Sequence, residues 1–134
     1  LTFAAPPDGG TELAALLKSN GIAGLQTGSY QGTGTYGSSN PTVFQFDAPK
    51  SLFFIGMLSN DFGVSGGSYC PLDAIQKTDE WVSGYRLSSV QGGGSLSSYG
   101  FKLSADRKTF SIYASNNATD QCNNEVYKYV WAAI

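Results

Sequence analysis

Two hydrophobic periods divide the chain. Between residues 11 and 20 the apolar positions Leu13, Leu16 and Leu17 share one helical face. Thr11 is placed to cap that helix, Glu12 sits in its first turn, and Asn20-Gly21 provides a stop. Eight or nine residues are too few for a stable isolated helix, so this one needs a partner surface. From Thr27 onward the period changes to two. Residues 28–36 alternate small and polar side chains as a strand, and the turn 37–41 leads into 42–47, where Phe44 and Phe46 face one way and Gln45 and Asp47 the other. The run 52–58 (Leu-Phe-Phe-Ile-Gly-Met-Leu) is apolar on both faces, which predicts a strand in the middle of two layers. Residues 59–69 read as a loop, 72–81 as a helical turn or irregular excursion, and 82–89 as a strand. A hairpin is predicted with arms 99–103 and 109–114 around a turn at 105–108. A polar loop at 115–124 precedes a last strand over 125–134, with Tyr127, Tyr129 and Trp131 on one face and Val126, Val130 and Ile134 on the other.

This pattern predicts an all-β fold, an antiparallel β-sandwich of about six or seven strands with a short N-terminal helix. Its organisation is an arm and helix over residues 1–26 and a sandwich over 27–134. The expected core is Phe44, Phe46, Leu52, Phe54, Ile55, Phe101, Phe110, Ile112, Val130 and Trp131. Pro6, Pro7, Gly9 and Gly10 suit an extended arm, and an opening at Leu1 without methionine or secretory signal reads as a piece of a longer chain.

Composition narrows the chemistry. Charged residues are 13% of the 134, about half the usual ~25%. Solubility therefore rests on uncharged polar groups. The chain has no histidine, which removes Ser/His and Cys/His nucleophiles and His-ligated zinc in their common forms. With a net charge of −2 and only Arg107 and Lys108 adjacent among the basic residues, there is no electrostatic footprint for nucleic acid. The run 52–58 is the longest apolar stretch, far short of the roughly 18 residues of a spanning helix, so no membrane partner is expected. Cys70 and Cys122 lack metal-type spacing. A disulfide closing the long loop and two separately buried thiols both remain open readings.

Three constellations merit weighing. Asp79 and Glu80 are adjacent, and neighbours on a strand point to opposite faces, so they read as surface charge rather than as a glycosidase pair. Asn116, Asn117, Asp120, Asn123 and Asn124 make an oxygen-rich loop with a single carboxylate, few for calcium, and read as a solvated turn. No catalytic residue, metal ligand or cofactor is assigned. Trp81 and Tyr85 flank a polar stretch with Asp79 and Arg86, a mixture that suits stacking on a sugar face with hydrogen bonds at its rim. The same rings read equally well as core. With Tyr69 in the preceding loop, these five residues are the candidate ligand contacts, within the loops 60–69, 79–86, 91–98 and 115–124.

The stretch Gly28-Ser29-Tyr30-Gln31-Gly32-Thr33-Gly34-Thr35-Tyr36-Gly37-Ser38-Ser39-Asn40-Pro41, followed by Phe44-Gln45-Phe46, Pro49-Lys50 and an apolar strand, resembles a domain near the C-termini of tail or fibre proteins of bacteriophages and prophages of Gram-positive gut bacteria. The closing Tyr127, Tyr129, Trp131 and Ala133 fit the same pattern. The likeness covers Gly28 to Gly56 well and the last thirty-odd residues loosely, and nothing between 59 and 91 contributes to it. A weaker likeness runs to the H-type lectin fold, a small trimeric β-sandwich, but no sugar-binding motif of that family matches a position here. The resemblance implies a non-enzymatic tip domain of a tail appendage. Such a domain is made in the bacterial cytoplasm, resides in the virion and acts outside the cell on a surface glycan or protein receptor. A homotrimer joined to the rest of the tail protein is expected, because a tip on a repetitive surface gains avidity, strand aromatics can be buried between subunits and the Leu13, Leu16 and Leu17 stripe can pack on a neighbour; ordinary surface aromatics and a helix folded back on its own sandwich are the monomeric alternative. The alternatives are a polysaccharide-degrading enzyme domain and a ligand-free trimerisation or decoration domain.

Overall fold

A computed structural model describes residues 24–58, 64–84, 86–87 and 95–134. Among them are seven strands: β1 (Gln26–Gln31), β2 (Thr42–Gln45), β3 (Leu52–Leu58), β4 (Val64–Pro71), β5 (Tyr99–Leu103), β6 (Thr109–Ala114) and β7 (Lys128–Ala133). They form two antiparallel sheets, one ordered β1-β7-β3-β4 and the other β2-β6-β5. The all-β expectation and its strand number hold at this level. The helix predicted over 11–20 lies outside the described residues.

Aromatic side chains join the two sheets. Phe53 of β3 meets Phe44 of β2 at 4.7 Å between ring centroids and Phe110 of β6 at 5.1 Å, while Trp131 of β7 lies 5.8 Å edge-on to Phe44. Tilted and edge-to-face pairs of this kind add to the area they bury. Phe101, Leu103 and Ile112 complete the core from the hairpin, and Tyr129 and Ala133 from β7. The hairpin turn falls where the sequence places it. Arg107 takes a positive φ of 61°, and Asp106 Oδ1 accepts from Ser104 Oγ at 2.6 Å and from the Lys108 N–H at 3.0 Å. Those hydrogen bonds, the Ser104 one foremost, hold the Asp106 carboxyl below its usual range.

Four expectations need correction. Phe54 is 39% exposed, whereas Phe53, absent from the expected core, is completely buried. A strand's side chains alternate between faces, and a run apolar at every position does not say which parity points inward. Val130 and Leu52 share the outward parity and are only half-buried. Second, residues 64–69 of the expected loop belong, with Cys70 and Pro71, to β4, paired with β3 from Pro71 opposite Leu52 to Val64 opposite Leu58, with an irregularity at Met57/Leu58. Third, the strand predicted over 82–89 reduces, among the described residues, to a single bridge between Val82 and Phe101.

The fourth correction concerns the polar loop before β7, which is exposed over residues 115–117 but buried in its second half. Asp120, Gln121, Cys122 and Asn123 are all buried. Gln121 Oε1 accepts the N–H groups of Gly37 at 2.7 Å and Ala114 at 3.0 Å, and its Nε2 donates to Asn40 O at 2.6 Å. Asn123 clamps the segment after β1 in the same way, accepting the Thr33 N–H at 3.0 Å and donating to Thr35 O at 2.9 Å. Two buried amides thus satisfy backbone groups that no sheet reaches, which is the condition for burying them.

Candidate functional site

The predicted contacts separate onto different sheets. Trp81 is half-buried against the outer face of the hairpin, edge-on to Tyr113 at 4.7 Å and 87°, with Lys102 Nζ 4.7 Å from its ring centroid. Lys102 thus sits over the ring on which stacking was expected. Asp79, at φ 60°, accepts the Ala105 N–H at 3.0 Å, and its own N–H donates to Leu103 O. Its carboxylate is tied to the hairpin turn, while neighbouring Glu80 lies 3.7 Å from Lys77 in an exposed ion pair. Tyr85 lies outside the described residues.

Tyr69 and Arg86 do come together. They border a small pocket of about 260 Å³ with Cys70, Pro71, Ile75 and Leu87 among its walls. Tyr69 is the most exposed large apolar side chain among the described residues, at 63%.

A larger concavity lies on the outer face of the four-stranded sheet, with a volume of about 800 Å³. Strand register builds it row by row. One row crosses all four strands as Thr27, Ala132, Phe54 and Tyr69, and the next as Ser29, Val130, Gly56 and Gly67. The first row ends in a wall formed by Phe54 and Tyr69, whose rings lie 6.5 Å apart and tilted by 41°. The second is a low furrow, because glycines occupy its β3 and β4 positions. None of the lining side chains among the described residues is charged. The nearest row beyond contains Gln31, Lys128 and Leu58.

Apart from Tyr69, sequence reasoning missed this face. Its signal was present in the second apolar face of 52–58, which was assigned to the core, and in the small residues of 64–68, which read as loop.

Other ionisable groups are engaged inside the fold. Cys70 and Cys122 are free and separately buried, so no disulfide links them. Burial pushes the Cys70 thiol up to about 11, and burial, aided by the nearby Asp120 charge, pushes Cys122 further up. Burial likewise raises the Tyr129 hydroxyl to about 12. The oxygen-rich loop spends its side chains on itself: Asn117 Oδ1 accepts the Asp120 N–H at 2.9 Å, and Asp120 Oδ2 accepts from Asn116 Nδ2 at 3.3 Å. Among the described residues no group of three or more acidic, cysteine or histidine side chains is placed to hold a metal.

Compared with known proteins, the chain matches no family model, no curated protein and no solved structure.

Proposed function

We propose that the chain is an attachment module, a β-sandwich tip domain of a phage tail fibre or related appendage that binds a bacterial surface glycan. One observation carries the binding half of this reading: Tyr69 and Phe54 stand exposed side by side at the end of an uncharged concave sheet face. Water-exposed aromatic surface of this kind marks recognition sites. The virion context rests on the resemblance of residues 28–56 and of the last strand. On this reading the domain acts outside the cell as a homotrimer, in which several weak sites engage a repetitive surface together and gain avidity.

The test incubates the 134-residue chain with purified Gram-positive cell wall and measures both retention and released sugar. Retention without sugar release is expected. Released sugar would transfer the domain to the polysaccharide-degrading alternative, and neither retention nor release would leave a decoration or trimerisation role. Light scattering checks assembly, with an expected mass three times the 14.2 kDa of the chain.

A further inference from the structure

We infer that the furrow on the outer face of the four-stranded sheet takes an uncharged glycan segment, laid across the strands with one sugar ring against Tyr69 and Phe54. This inference rests on the attachment reading and names the ligand class and the site.

Gly67 carries the argument. At two strand glycines a neighbouring ring fills the place of a side chain: a Cβ on Gly28 would run into the Trp131 ring, and one on Gly100 into Tyr113. A Cβ on Gly67 would meet nothing closer than Ile55 O at 3.7 Å, and its backbone does not have a positive φ. Glycine within a strand weakens the sheet by about 0.5–1 kcal/mol relative to alanine. Among the described residues no neighbouring side chain or backbone demands it, so what the missing side chain leaves there is open floor. Gly56 lies directly opposite on β3 and lines the same concavity.

The surroundings select what fits that floor. Tyr69 and Phe54 present exposed rings at one end, aromatic surface of the kind on which the C–H face of a pyranose packs. Thr27 and Ser29 offer exposed hydroxyls at the other end, on β1. Strand spacing sets these ends about 14 Å apart, long enough for several sugar rings rather than one. Among the described residues no lining side chain is charged, so an anionic polymer would find there none of the Lys or Arg partners that phosphate or carboxylate requires.

The experiment uses affinity gel electrophoresis and calorimetry with soluble neutral polymers (dextran, mannan, galactan, laminarin) and two polyanions (heparin and purified teichoic acid). Three proteins are compared: the unaltered chain, Gly67→Leu and Tyr69→Ala. Gly67→Leu fills the furrow, and Tyr69→Ala removes an exposed ring, so each is expected to melt with the unaltered chain. The expected result is binding of at least one neutral polymer, little changed between about 0.1 and 0.5 M salt. Both substitutions should weaken it by about tenfold or more.

Should Gly67→Leu unfold, Tyr69→Ala decides alone. Neutral-polymer binding that survives Tyr69→Ala overturns the furrow site and leaves the attachment reading standing. Binding confined to the polyanions, with steep salt dependence, overturns the ligand class but not attachment. Loss of a trimer in Gly67→Leu or Tyr69→Ala overturns the inference by making this face a contact between copies. Absence of binding to every polymer, together with no retention on cell wall, overturns both.

Discussion

Phe53 and Phe54 are chemically identical neighbours on one strand, yet they belong to opposite faces of the four-stranded sheet. The inner face meets the second sheet through Phe53, Ile55, Tyr129 and Ala133, all buried, with Trp131 packed against them. The outer face carries Phe54, Val130, Ala132 and Tyr69, and no second layer covers it among the described residues. The three-stranded sheet differs. Its outer face over β5 and β6 is roofed by Trp81, held by the Val82–Phe101 bridge and by Lys102 and Tyr113. An apolar residue under a second layer stabilises the fold, whereas the same residue without one is available for recognition.

The sharpest way to break this comparison is to truncate both phenylalanines. Phe53→Ala should cost about 3–5 kcal/mol of unfolding free energy through lost transfer and the cavity left behind. Phe54→Ala should cost about 1 kcal/mol or less. Equal losses in urea titrations would mean that the outer face is covered as the inner one is.

Polar burial provides the next test, because it asks whether an inward amide outweighs an outward aromatic ring. Gln121→Ala strips acceptors from the buried N–H groups of Gly37 and Ala114. We expect a loss of about 2–3 kcal/mol, larger than that of Phe54→Ala. A smaller loss would show that water enters the loop and replaces the amide.

Cys70 and Tyr69 extend the contrast to β4, where consecutive residues are buried and exposed. Burial pushes the Cys70 thiol up from its ordinary 9.0 to about 11. Because the folded protein holds this proton more tightly than the unfolded chain, its contribution is fully present below pH 9. It is lost as pH rises toward 11, by on the order of 2 kcal/mol. Chemical denaturation at pH 8, 9.5 and 11 of the unaltered chain and of Cys70→Ala isolates this fall as the difference between them, because Cys122 and Tyr129, also raised by burial, contribute to both. At pH 8 iodoacetamide should leave Cys70 and Cys122 unmodified in the native protein and label a Tyr69→Cys variant readily.

The smallest effect concerns the roofed sheet. Lys102→Met removes the cation over Trp81 while keeping most of the stem, and should destabilise by about 0.5–1 kcal/mol. No change would mean that the roof is held by Tyr113 and the Val82 bridge alone.

How far the sequence reached depends on where each signal is encoded. The hairpin of β5 and β6 with its Asp106 turn, the in–out alternation of Phe44 and Phe46, and the aromatic face of β7 are local patterns, legible within a few residues of themselves. The exclusion of histidine-dependent chemistry needed only composition. Strand β4 carries no such pattern: its Gly66, Gly67 and Ser68 have low strand preference and are extended because β3 pairs with them. The parity of β3 was equally hidden, since Phe53 and Phe54 differ only in what the rest of the chain brings over them. The candidate site follows the same division. Tyr69 was singled out from sequence, but Phe54, Ser29 and the open floor at Gly67 become one surface only when β1, β7, β3 and β4 align in register, and that alignment is a long-range property no single segment encodes.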